Sequence, residues 1–255
     1  MTGLRVLTYN IHSCLGTDGH RLPERIAHVI AACRAQVVAL QEVDVNRARS
    51  NRLDQAHRLA HHLRMEYRFH PAFQVAEERY GNAVLSALPL RLVKAGPLPG
   101  PRFLEPRGVL WVEVEWQGRA WQILNTHLGL TPAERHQQLK ALLSREWLGH
   151  PDCRGPVVLC GDLNTHPRSG LCRRLRRRLA DATARARRRR VRATFPSRFP
   201  LIRLDHIFVS PDVEVLGAEV HDAPLARLAS DHLPLLVELA LPGRRAKKSP
   251  SAEGE

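Results

Sequence analysis

Short apolar runs alternate along this chain with stretches whose apolar positions recur every third or fourth residue. "LRVLTYN" (Leu4 to Asn10), "VVALQE" (Val37 to Glu42) and "GPVVLCGD" (Gly155 to Asp162) are rich in Val and Leu and stop abruptly on polar residues, as strands buried on both faces do. Leu22, Ile26, Val29, Ile30 and Cys33 have helical spacing, which predicts a helix over Leu22 to Ala35, and a second is predicted over about Arg52 to Leu63. "GNAVLSALPL" predicts a strand ending at Pro89, and the Pro- and Gly-rich segment from Ala95 to Gly108 predicts a surface loop. "VLWVEVEW" and "RAWQILNTHL", joined by Gln117-Gly118, read as a hairpin. Thr131, Pro132 and Glu134 then open a helix running to about Leu148, with a cap residue followed by Pro and Glu in the first turn. After "GPVVLCGD", Leu171, Leu175 and Leu179 recur one turn apart as the buried stripe of a basic helix. "RLDHIFVS", "VEVLGAEVH" and "HLPLLVELAL" supply the last strands. Alternating strands and helices predict an α/β or mixed layered domain over residues 1–241, followed by a disordered polar tail at 242–255.

Composition narrows this picture. At 255 residues and 44% hydrophobic content the chain can bury one large core, and no apolar run approaches the roughly 18 residues of a membrane span. Met1 to Tyr9 lacks the pattern of a leader peptide, so a cytoplasmic protein is expected. The five cysteines are odd in number and contain no CxxC pair, which argues for reduced packing residues rather than disulfides or a zinc ribbon. The net charge of +14 is concentrated: "RRLRRRLADATARARRRRVR" (Arg173 to Arg192) holds eleven Arg and one Asp. That tract fits a polyanionic partner, either nucleic acid or an anionic membrane surface, although an excess of 35 Arg over 4 Lys also fits compositional drift. Nothing in the sequence points to a protein partner.

Chemistry enters at the strand ends. Four apolar runs finish in a reactive or ligating residue: Asn10, Glu42, His127 and Asp162. Strands of one sheet that end at a common edge would bring these side chains together. "LDHI" (Asp205, His206) and "SDHLP" (Ser230, Asp231, His232) add carboxylates and imidazoles beside further strands. Oxygen ligands suit a hard divalent cation and imidazole suits proton transfer, whereas zinc would want paired Cys or a closely spaced pair of His.

In order, "TYNIH", "LQEVD", "YGNAVLS", "EPRGVL", "NTHLG", "GDLNTHP", "RLDHIFVS" and "SDHLPLLVEL" closely resemble the endonuclease/exonuclease/phosphatase superfamily over about residues 4–240. It includes pancreatic-type DNases, abasic-site endonucleases, inositol polyphosphate phosphatases and sphingomyelinases. The resemblance implies a four-layer α/β/β/α sandwich, two mixed β-sheets packed face to face with helices outside, and hydrolysis of phosphoesters with Mg²⁺, or Mn²⁺ in its place. It casts Glu42 as principal metal ligand, Asn10 beside it and Asp231 as the supporting carboxylate. His232 resembles the base that deprotonates water, Asp205 its partner, Asp162 the residue that positions the water, and Asn164 a donor to a phosphoryl oxygen. Because side chains alternate along an extended segment, Asp162 and Asn164 are expected to face one phosphorus. His127 resembles the second histidine, which steadies developing charge or protonates the leaving oxygen, with Asn82 to orient it where DNase-like relatives use Glu. Arg107 is expected to grip a substrate phosphate.

The resemblance leaves the substrate open. Glu42 is followed by Val43-Asp44 and not by the Thr-Lys of abasic-site enzymes, and "FPLIRLDHI" stands where inositol phosphatases carry a basic element. The preferred expectation is an endonuclease or exonuclease on nucleic acid; the alternative is a phospholipid-type phosphodiesterase at anionic membranes.

Overall fold

The computed structural model describes residues 3–242. Its strands are β1 (Leu4–Asn10), β2 (Val37–Val45), β3 (Glu66–Val75), β4 (Glu78–Ser86), β5 (Leu90–Leu98), β6 (Arg107–Trp116), β7 (Arg119–His127), β8 (Val157–Asp162), β9 (Ala180–Asp181), β10 (Arg188–Arg190), β11 (Asp205–Val209), β12 (Glu214–Val220) and β13 (Leu235–Ala240). Its helices are α1 (Pro23–Cys33), α2 (Gln55–Leu63), α3 (Pro132–Leu143), α4 (Gly170–Leu175), α5 (Ala182–Arg185) and α6 (Pro224–Ala229). One sheet has the order β10-β12-β13-β1-β2-β4-β3 and the other β5-β6-β7-β8-β11-β9. Both are mixed: β1 and β2 run parallel, as do β7 and β8, while their other neighbours are antiparallel.

Burial on both faces explains why these strands read as unbroken apolar runs. Along β6, Leu110, Val112 and Val114 enter one core cluster while Val109 and Trp111 enter another; along β8, Val158 and Cys160 take the first and Val157 and Leu159 the second. Alternate side chains thus point into the space between the sheets or outward beneath α3 and α4, which supply Leu139, Leu142, Cys172 and Leu175. This is the expected α/β/β/α sandwich.

The sheets are tied to each other near one edge by a buried polar bridge. A bulge between Leu40 and Val43 breaks the β2–β4 ladder. Asn125, from β7 of the other sheet, donates from its amide nitrogen to the carbonyls of Leu40 and Ala83, each at 2.8 Å, and accepts from Gln41 Nε2 at 2.7 Å. Backbone acceptors that the bulge leaves without ladder partners are thereby satisfied in a place water does not reach.

Several local expectations need correction. The segment Ala95 to Gly108 is not all loop: β5 continues to Leu98 and β6 starts at Arg107. β5 is an edge strand, so Pro97, which has no N–H, is tolerated there. Residues Glu66–Val75 form an edge strand that no reading of the sequence assigned, although Tyr67, Phe69, Phe73 and Val75 alternate. The helix from Pro132 stops at Leu143, before Leu148. No basic helix spans residues 171–179; α4 is one short helix, closed by turns, and the tract later forms α5 and β10. Asp181 breaks it by capping α5. The tail expected at 242–255 lies, apart from Pro242, outside the described residues.

Candidate active site

Three neighbouring strands place three functional groups in one row. His127 of β7 is directly opposite Asp162 of β8, and Asp162 is directly opposite Asp205 of β11. Residues opposite one another project from the same face of a sheet, so this register alone assembles the row. From the other sheet, the end of β1 brings Asn10, and the segment before β13 brings Asp231 and His232; Glu42 comes from the bulge within β2, which runs on to Val45 and does not end at Glu42 as expected. The expectation of one sheet edge is therefore corrected: two sheets contribute, their edges side by side. All but Asn10 and Asp205 among these line a single cleft of about 430 Å³.

Asp162 is the hub. Its Oδ2 accepts from Asn10 Nδ2 at 3.1 Å and lies 3.5 Å from His127 Nε2 and 3.6 Å from His232 Nε2. Asn10 Nδ2 also donates to Glu42 Oε1 at 2.9 Å, so Glu42 and His232 stand at the two ends of a short chain of contacts. His232 Nδ1 meets Asp205 Oδ2 at 2.8 Å, with Asp205 fully buried. Among the described residues, Asp162, Asp205 and His232 form a cluster compact enough to hold a metal. Asp205 is already committed to Nδ1, an arrangement better suited to moving a proton than to ligating a cation. The donors that fit a hard cation are the half-buried carboxylates of Glu42 and Asp231 on the cleft wall. Asn10 presents its amide nitrogen to Glu42 and Asp162, while its Oδ1 accepts from the backbone N–H of His12 at 3.1 Å. To act as an oxygen ligand the amide must turn over, and a cation between those carboxylates would favour that turn.

Electrostatics separate the two histidines. Burial pulls His232 toward neutrality, but Asp205 and Asp162 outweigh it and carry the ring up to about 10. Burial holds His127 well below its ordinary value, reinforced by Arg107 and His232, and burial pushes Asp162 upward. In the metal-free protein the His232 ring is thus expected to titrate near pH 10 by NMR. The stability it contributes is complete below about pH 6.5 and is lost as pH rises through about 10, so the urea midpoint should fall across that window. Asp205→Asn should move the ring toward 6.5 and flatten that fall; a ring that already titrates at 6.5 in the unaltered protein rules the dyad out.

Three expected roles change. Asn82 does not orient His127: its amide donates to the carbonyl of Gly108 at 3.0 Å, fixing the start of β6. Arg107 takes that place, with Nη1 2.9 Å from His127 Nδ1 and 2.5 Å from Glu105 Oε1. It is buried, which leaves it a poor first choice for gripping phosphate. Asn164 does face the cleft, though not through extended alternation. It has a φ of 48°, and its N–H bonds back to Asp162 Oδ1 at 2.8 Å in a tight turn. Its amide nitrogen donates to the carbonyl of Leu128 at 2.8 Å and lies 3.0 Å from His127 Nε2; with Arg107 donating to Nδ1, the neutral ring carries its proton on Nε2, so Asn164 packs beside the ring without donating to it. A neutral His127 fits the charge-steadying role of the two that the resemblance implies.

Arg49 was missed. It lines the cleft, 42% exposed, clamped by the fully buried Asp44 (Nε 2.8 Å, Nη2 2.7 Å) and by Ser13 Oγ at 2.9 Å. Its signal was the "D" of "LQEVD", an acid at an apolar strand's end that needs a cation. His206 is buried away from the cleft. Its Nε2 bonds to the carbonyl of Thr165 at 2.8 Å and steadies the turn after Asp162.

Residues 7–232 match the Endonuclease/Exonuclease/phosphatase family. A relative in Escherichia coli K12, the uncharacterized protein YbhP, is 32% identical, with 93% of this chain and 96% of that one covered. An endonuclease/exonuclease/phosphatase of Beutenbergia cavernae superposes with a TM-score of 0.77 at 26% identity, covering 95% of this chain and 72% of that one. A mannosyl-6-phosphatase of Bacteroides thetaiotaomicron also gives 0.77, at 22% identity, covering 93% of this chain and all of the other.

Proposed function

The chain belongs to the Endonuclease/Exonuclease/phosphatase family, and from that premise we propose a Mg²⁺-dependent hydrolase of phosphodiester bonds in which His232 activates water. The observation that carries the reading is the His232–Asp205 contact of 2.8 Å, with His232 in a cleft that Glu42 also lines. Negative charge on a phosphodiester repels hydroxide, so hydrolysis needs a base for water, donors for the oxygens and a cation.

The base is His232. Asp205 fixes its Nδ1 and stabilises the imidazolium once a proton arrives at Nε2. Asp162, 3.6 Å from Nε2, orients the water by accepting its other hydrogen. Glu42 and Asp231, with Asn10 after its amide turns, are the residues that would hold Mg²⁺. Bound there, the ion would supply positive charge against the phosphate and would offset the carboxylate field that favours the protonated His232 ring. Neutral His127, held at Nδ1 by Arg107, keeps a proton on Nε2 and can donate it as a hydrogen bond to the charge that develops on the leaving side.

Hydrolysis of bis(p-nitrophenyl) phosphate is expected to stop on chelation and to return with Mg²⁺. Turnover undiminished in excess chelator refutes the proposal. Arg49 is the phosphate contact: Asp44 and Ser13 take its Nε and Nη2 and preorganise the guanidinium, leaving Nη1 free to donate to a phosphate oxygen. Arg49→Gln should raise KM about tenfold or more at little change in kcat, in line with the roughly 1.5–3 kcal/mol of a charged hydrogen bond. An unchanged KM removes Arg49 from the substrate site.

The basic tract gives the cleft no direct help. None of the described side chains of residues 173–192 lines it, and Arg176, Arg187, Arg188 and Arg192 pair with Asp181, Glu214, Glu238 and Asp222. Support for a polyanion along that tract is therefore weaker than the sequence suggested.

A further inference from the structure

The four most exposed large apolar side chains among the described residues are Phe103 at 86%, Leu201 at 83%, Phe199 at 75% and Leu130 at 70%. All four lie on loops that wall the catalytic cleft. Leu130 lines the cleft itself. Phe103 stands two residues before Glu105, another wall residue. Phe199 and Leu201 project from the turn between Phe195 and Leu204, both of which line the cleft. Single exposed leucines need no explanation, but the four most exposed large apolar side chains all falling on loops of one cleft do.

These loops are built to hold their apolar side chains out. The turn at 195–202 is closed by backbone bonding between Phe195 and Ile202 and is tied to the segment that carries His232. Ser197 N–H donates to the carbonyl of Asp231 at 2.7 Å, and Ser197 Oγ donates to that of Ser230 at 2.6 Å. Arg135 holds the carbonyl of Leu130 at 2.5 Å. Pro101, Pro106, Pro196 and Pro200 restrict the two longer loops, which lowers the entropy lost when they are immobilised against a partner. Charge on the loops has one sign. Arg102 and Arg198 are exposed beside the two phenylalanines, and Glu105, the one acid between residues 99 and 106, is paired with Arg107. Residues 194–204 contain no acid.

We propose that this rim seats the cleft on an anionic phospholipid bilayer, and that the phosphodiester it takes is that of a phospholipid headgroup. This rests on the phosphodiester reading above and narrows it. Leucine and phenylalanine tips gain by leaving water for the acyl boundary, and flanking arginines meet the lipid phosphates. A site at the same edge then opens onto the headgroup layer. A nucleic acid offers aliphatic leucines nothing comparable, since stacking on bases calls for aromatic faces.

The test uses the full chain and unilamellar vesicles of phosphatidylcholine, with and without phosphatidylglycerol. Wild type should co-sediment with the phosphatidylglycerol vesicles and release phosphorylated headgroup in Mg²⁺. Phe199→Ser/Leu201→Ser should bind them at least tenfold more weakly, yet keep full turnover of bis(p-nitrophenyl) phosphate. His232→Ala should bind vesicles as wild type does and release nothing. Equal vesicle binding by wild type and the double variant overturns the proposal. So does vesicle-inert wild type whose cleavage of single-stranded DNA is lost in the double variant, which would assign the rim to bases. Loss of vesicle binding in the double variant supports docking even if the small diester is inert, and that inertness would count against the chemistry alone.

Discussion

His232→Ala should lower Mg²⁺-dependent phosphodiester turnover by about 10²- to 10⁴-fold, the usual worth of a positioned general base. Alanine also leaves Asp205 buried without its partner, and breaking a buried pair by removing one member commonly costs about 3–5 kcal/mol. Activity and stability should therefore fall together in this variant. His232→Asn separates them, because its amide nitrogen can take the place of Nδ1 opposite Asp205 but offers no base. It should be as inactive as alanine and recover part of the lost stability in urea unfolding. The coupling to Asp205 is open to a cycle of variants. Asp205→Asn is expected to slow wild type strongly and to slow His232→Ala no further, since Asp205 acts through the ring it holds. Equal slowing in both backgrounds would show that Asp205 works independently, and the dyad would have to be abandoned.

The second large effect lies one residue before the hub. Gly161 has a φ of 140°, and a Cβ there would sit 1.8 Å from the carbonyl oxygen of Thr126 on the neighbouring strand. The obstacle is backbone within a parallel pair, so it cannot swing aside as a side chain would. Gly161→Ala must push β8 from β7 exactly where His127 and Asp162 are in register. The expected cost is about 3–5 kcal/mol, combining overpacking with left-handed strain, with near-complete loss of turnover. Gly118→Ala is the control. Gly118 also has a positive φ, 68°, but nothing lies within 4 Å of its added carbon, so about 1 kcal/mol is expected there. Similar urea midpoints for the two variants would contradict the close approach at Gly161.

Much of the site was legible because buried strands leave a plain trace. Apolar runs such as "VVLCGD" and "WQILNTH" have one way of ending in an acid or an imidazole that keeps the polar group off the core, which is to present it at the sheet edge. The hairpin turn at Gln117-Gly118, both at positive φ, and the capping box of Thr131 and Glu134 were readable for the same reason: each is a local rule acting over a few residues. Arg49 was hidden because its importance rests on a buried acid five residues away, around a turn that periodicity does not describe.

The sequence by itself determined the layered fold and the set of groups at its strand ends, since hydrophobic period and residue type are properties of short segments. Only the tertiary structure decided who touches whom. It chose Arg107 over Asn82 for His127, turned Asn164 toward that ring instead of a phosphate, and used a bulge to send Gln41 into the core and Glu42 to the cleft. It also broke up the basic tract and set four exposed apolar side chains on loops of one cleft. These outcomes depend on strand register and on loops distant in sequence meeting at one place, and a one-residue slip that leaves every local pattern intact would reverse each pairing.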